Sequence, residues 1–245
     1  MLVFMVKGLF NSLHFPYAQF PCTALAGDQF FDPFWEAVAR LEFCGFKVLA
    51  LTCDGLGANR RLFHLHNPSN RSFLNKVENP YAPERSIYFF INPPHLLKTV
   101  RNGWANKRRL WCNSKESLWQ HLVELYECNR CGTDGLVLIP KLKYEHIVLT
   151  SFSKMRVDLA AQALSSSVVK GLEMLKKDEM SETIKFVDII DKWFDCLNVS
   201  CFSKGKLTQN PFKSPYRSDN DQIKVVEGDI PPIFGWMANE CNRKI

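Results

Sequence analysis

One stretch, residues 47–60 (KVLALTCDGLGANR), puts a carboxylate where chemistry can use it. The apolar run at residues 48–52 reads as a buried strand, and Asp54 stands just beyond its end. Gly55 and Gly57 make a turn, and Asn59 begins a helix. Ligands and metal ions collect at strand ends in α/β sheets. An aspartate there can ligate a divalent cation. It can equally close a turn or cap a helix before glycine. The local residues leave both readings open.

Other chemically capable groups are less well placed. His64 and His66 are two apart, so a helix turns them away from each other, and no other His or Cys is near. Cys128 and Cys131 form a CxxC with no second pair at zinc-site spacing, so that stretch reads as a turn. No GxxxxGK[ST] loop occurs, which excludes P-loop nucleotide chemistry. Arg101, Lys107, Arg108 and Arg109 read as a solvated, basic helix face.

The elements that must position Asp54 follow from patterning. Residues 2–9 and 15–25 predict a hairpin, with Pro16 and Pro21 marking an edge or interrupted strand. Residues 27–44 predict a helix capped by Asp28 and stopped by Gly45. After the Asp54 strand come a short helix (58–66), a loop (67–84), a strand (86–91) and a helix (96–104). The order β-β-α-β-α-β-α is an incomplete RNase H-like pattern, a mixed sheet with flanking helices whose first strand is missing. Residues 2–9 read at once as a core strand, and from this we expect a fragment or a trimmed relic.

Beyond residue 100 the pattern is helical: residues 111–127, 150–177 with Met155 on its core face, and 180–198. Residues 201–228 read as extended, and 230–245 as a short amphipathic piece. The expected organisation is an RNase H-like part (1–100), an all-α domain (101–222) and a tail (223–245). The apolar share of 46% supports a real core, and the net charge of +6 mildly favours an anionic partner. No apolar run reaches membrane-helix length. The nine scattered cysteines suit a reducing compartment.

The series VFMVKGL, FPYAQFPCTAL, GFKVLALTCDGLGANRRLF, YFFINPPHLLKTVRN, KLKYEHI, FSKMRVDLAAQALSSSV, TIKFVDIIDKWFDCLN and NPFKSPY resembles the P-element-type transposases over nearly the whole chain. The resemblance implies a nuclear DNA-cleaving and strand-joining protein with a DNA-binding THAP domain. It implies an RNase H-like domain that holds Mg²⁺ on three carboxylates, interrupted after the PPH motif by an α-helical GTP-binding insertion. Asp54 matches the second carboxylate, a catalytic and metal-ligating position. No residue matches the first Asp or the Glu, and Asn92 stands where relatives commonly have Asp. Phe194 and Asp195 match the pair that stacks on and reads guanine. Lys154, and more weakly Lys141 or Lys143, match positions near the phosphates. The implied partners are DNA, GTP, and a second copy or full-length relative. The expected function is a relic that keeps GTP binding without catalysis. A partial sequence of an active transposase and a ligand-free interaction module are the alternatives.

Overall fold

The computed structural model describes residues 2–22, 26–66, 75–112, 115–131, 139–199, 201 and 203–214. The chain divides into two compact units, Met1–Ile91 and Asn92–Ile245.

In the first unit, β1 (Leu2–Lys7) and β2 (His14–Phe20) form the expected antiparallel hairpin. Pro16 pairs with Met5 where the register shifts, a place that tolerates a residue with no N–H. Asn11 Oδ1 accepts the Leu13 N–H and closes the turn. A Cβ on Gly8 would fall 1.8 Å from that oxygen, so a larger residue there would displace the Asn11 side chain from the turn.

The expected helix over 27–44 is instead a 3₁₀ turn, Gly27–Phe30, running into α1 (Phe31–Phe43). Asp28 does not cap it; its carboxylate pairs with Arg61 at 2.7 Å. Gly45 ends α1 at φ +86°, with its N–H on the Glu42 carbonyl and the Phe46 N–H on Leu41. Next come β3 (Ala50–Cys53), α2 (Gly57–Leu65), β4 (Lys76–Glu78) and β5 (Ser86–Ile91). The expected loop over 67–84 thus contains a strand, and residues 67–74 lie outside the described set. The sheet order is β3-β5-β4, with β3 parallel to β5 and Cys53 opposite Ile91. One sheet face buries Val77, Ile87 and Phe89 against Phe34, Val38, Leu62 and Phe63 of the helices. Tyr88 and Phe90 are exposed. Glu42 pins this unit: it accepts hydrogen bonds from the Val48 N–H and Asn79 and pairs with Arg85.

The second unit begins with α3 (Pro93–Lys107), whose proline suits the first helical turn. The expected helix over 111–127 is corrected. β6 (Arg109–Cys112) and β7 (Lys115–Leu118) form an antiparallel hairpin, and only then does α4 (Trp119–Cys131) start. Trp favours strands, and Arg108 at φ +65° breaks the helical run before Arg109–Cys112. The unit is therefore mainly helical rather than all-α. The expected long helix over 150–177 is also corrected. After α5 (Tyr144–Ile147), a 3₁₀ turn (Ser153–Met155), α6 (Val157–Ala163) and α7 (Ser166–Met174) replace it. Ser165 Oγ donates to the Gln162 carbonyl, and serines that bond locally favour such breaks. Met155, expected in the core, is 75% exposed.

A 3₁₀ turn (Asp178–Met180) leads into α8 (Ser181–Leu197). The stretch from 201 is not extended as far as it is described: α9 (Lys204–Leu207) and a 3₁₀ turn (Pro211–Lys213) follow. The expected tail, 223–245, lies outside the described residues. The core joins Trp104 and Trp119, edge to face at 5.0 Å, with Leu122, Leu125, Val168, Leu172, Phe186 and Ile190. Among the described residues no helix is long and apolar enough to cross a membrane.

Candidate functional site

Asp54 follows β3 directly, past the point where Cys53 pairs with Ile91 at the end of parallel β5. That is the strand-end position expected from sequence. Its Oδ1 accepts the Leu56 N–H at 3.1 Å and Asn59 Nδ2 at 2.7 Å. The turn-closing role and the strand-end position therefore coincide in one side chain. Burial, with help from the Asp54 charge, pushes the neighbouring Cys53 thiol up to about 12, so it is no nucleophile at neutral pH. Among the described residues no group of three or more His, Cys, Asp or Glu is placed to hold a metal ion. Asp54 alone does not fit Mg²⁺, which needs several oxygen ligands in octahedral array.

His66 is not a metal ligand candidate but a packed ring. It lies 4.9 Å from the Phe31 ring and 5.0 Å from that of Phe89, with Nδ1 on the Leu62 carbonyl. Burial holds its pKa below the usual histidine value.

The second unit gathers polar groups on one face of α8. Asp188, Asp191, Lys192 and Asp195 recur at helical spacing. Asp195 is enclosed, its side chain 12% exposed. Its Oδ2 accepts Asn210 Nδ2 at 2.8 Å, and Lys213 Nζ lies 3.5 Å away. Asn210 Oδ1 in turn accepts the Phe212 N–H at 3.0 Å. Lys192 pairs with Asp188 at 2.6 Å and sits 5.7 Å from the centre of the Phe212 ring. Asp191 Oδ2 accepts the Ser166 N–H at the start of α7, at 3.0 Å. Burial first, then the Asp195 charge, push the Asp191 carboxyl up to about 6, against the Ser166 N–H and Lys213.

Phe194 is half-buried and packs on the core, tilted 44° to Trp193. Lys154 lies in the Ser153–Met155 turn and is half-buried. Its carbonyl accepts Asn102 Nδ2 at 3.0 Å. Arg101, read from sequence as solvated, is 0% exposed and donates from Nη2 to the Ser153 carbonyl at 2.9 Å. The Lys154 and Arg156 carbonyls are at 3.5 and 3.4 Å from the same nitrogen. Lys141 is exposed beside α5, and Lys143 caps that helix, its N–H on His146 Nδ1. His146 Nε2 lies 2.8 Å from Gln162 Oε1. Among the described residues no hydrogen bond or ion pair joins Asp195 to Lys141 or Lys154; its partners are Asn210 and Lys213. Sequence reasoning missed Asn210, Lys213 and Arg101. Asn210-Pro211 is a turn signal that could have drawn attention to the first two.

Two family models match the chain. Residues 1–67 match the TNP-like, RNase H N-terminal domain, and residues 94–211 the TNP-like, GTP-binding insertion domain. The chain is homologous to the P-element-type transposases, with segments matching an RNase H N-terminal and an insertion domain of that kind. It is 24% identical over 257 residues to the human DNA transposase THAP9, covering 100% of this chain and 27% of that protein. It is 26% identical over 174 residues to the Transposable element P transposase of Drosophila melanogaster, covering 68% of this chain and 22% of that protein. The solved Drosophila P element transposase strand transfer complex shares the fold, with a TM-score of 0.74 at 22% identity. It covers 92% of this chain and 50% of that one. The chain thus spans well under a third of either sequence relative.

Proposed function

We propose that this transposase-derived chain binds guanine nucleotide through its helical unit and, as residues 1–245 alone, does not join DNA strands. The observation that carries the first half is the enclosed Asp195 carboxylate. It lies inside the segment matched by a GTP-binding insertion family and is held by a short network rather than left in solvent. Guanine presents two adjacent donors on one edge, and a fixed carboxylate accepts both. Phe194 supplies the neighbouring aromatic ring, and Lys154 and Lys141 are point charges for the phosphates. GTP here organises the unit; no residue is assigned to its hydrolysis.

Asp54 is the family's strand-end catalytic and metal-ligating position. A two-metal clamp on attacking and leaving oxygens needs several carboxylates. Asp54 is the one residue of this chain that matches such a position. Retained affinity for DNA, by charge and without base reading, fits the excess of lysine and arginine, and the nucleus is the compartment where such a protein would meet DNA. A second copy or a longer relative would supply the missing carboxylates.

Titration of the purified chain with GTP and with ATP tests the nucleotide half. Incubation with donor and target DNA in Mg²⁺ tests the other: a joined product would contradict it.

A further inference from the structure

The carboxylate proposed to read guanine is already engaged before any nucleotide arrives. Among the described residues both protein contacts fall on one oxygen. Asn210 Nδ2 is 2.8 Å from Asp195 Oδ2, and Lys213 Nζ is 3.5 Å from the same atom. Guanine offers N1–H and an exocyclic N–H side by side, one for each carboxylate oxygen. Each oxygen has about two lone-pair sites. On Oδ2, Asn210 takes one, and the base needs the other. The ion-paired lysine is the group in the way.

The two contacts differ in how they are anchored. Asn210 caps the Pro211–Lys213 turn, its Oδ1 accepting the Phe212 N–H at 3.0 Å, so its amide is fixed in direction. Lys213 is a flexible side chain at a longer distance. It also has somewhere to go, because Asp191 stands one turn earlier on α8 and already feels its charge.

We propose that guanine displaces Lys213 from Asp195, while Asn210 remains and fixes the plane of the carboxylate. Asn210 is then a positioning residue for base specificity, and Lys213 an internal competitor for the base edge. The inference rests on the guanine-reading role of Asp195.

The experiment is calorimetric titration of the full chain with guanosine and adenosine, which carry no phosphates for Lys213 to attract. Lys213→Met and Lys213→Gln should bind guanosine roughly threefold to fivefold more tightly than wild type, the scale of one partly exposed ion pair. Lys213→Arg should return affinity toward wild type. Asn210→Ala should lower the ratio of guanosine to adenosine affinity. Melting temperatures identify variants that fold. Unchanged or weaker guanosine binding in both folded lysine variants would overturn the proposal. Guanosine binding that is absent, or indifferent to Asp195→Ala, would instead sink the base-reading role itself.

Discussion

The Ser166 N–H donates to Asp191 Oδ2 at 3.0 Å, tying the first turn of α7 to the middle of α8. A carboxylate at a helix N-terminus satisfies one orphan N–H and meets the positive end of the helix dipole. Here the benefit is opposed by burial and by Asp195.

Asp191 therefore makes stability depend on pH in an unusual direction. Its folded pKa is raised to about 6, above the ordinary aspartate value, so the folded state binds the extra proton between the two. Stability falls as pH rises through that window and is level above it. Asp191→Asn keeps an acceptor for Ser166 and removes the titration. We expect the variant to be more stable than wild type near pH 7, on the order of 1 kcal/mol after solvent screening. The gain should vanish near pH 4. Thermal melts of both proteins across pH 4–7 check this; a gap that does not change with pH contradicts it.

Glu42 acts with the opposite sign. Burial raises its pKa, but the Val48 N–H, the Arg85 guanidinium and Asn79 outweigh that and hold it below the usual value. Its contribution is present above the ordinary glutamate pKa and lost as pH falls through the depressed folded one. Glu42→Ala leaves the Val48 N–H, Asn79 and Arg85 without their acceptor and should cost about 1–3 kcal/mol at neutral pH. Denaturant melts at pH 7 and pH 3 should show the loss shrinking in acid.

Arg101 predicts a local effect. Its guanidinium is buried, with its pKa lowered to about 10 by desolvation, and it remains charged at neutral pH. Nε and Nη1 have no hydrogen-bond partner among the described residues, while Nη2 holds the Ser153 carbonyl. Arg101→Met removes an awkward cation but frees the turn that carries Lys154. We expect amide exchange around residues 153–157 to rise about tenfold or more, with Arg101→Lys restoring part of the protection. Unchanged exchange there would show that the turn holds itself.

Much of the first unit was legible because its signals are local. A β-rich apolar run marked β1, Gly45 marked the end of α1, and another such run marked β5. β4 escaped because it is three residues long and buries only Val77. The β6–β7 hairpin escaped because apolar spacing in LWCNSKESLW also suits a helix. The run over 150–177 kept its helical period across Ser165, and the break there, begun by the local Ser165 bond, is completed by a tertiary acceptor, Asp191, 25 residues away from Ser166 in sequence. Arg101 looked solvated because nothing local tells a buried guanidinium from an exposed one; its acceptors come from the Ser153–Met155 turn and Arg156. At the candidate site, Asp54 stood out by its strand-end context and Asp195 through the family resemblance. Asn210 and Lys213 were not, since only the folded chain brings them to α8.

The guanine edge is the proposed partner of Asp195. Titrating wild type and Asp195→Ala with GTP and ATP tests this most directly. Wild type is expected to prefer GTP by at least about tenfold, and the variant to lose this preference. Equal affinity of wild type for the two nucleotides, no binding of either, or an undiminished preference in the variant would contradict it.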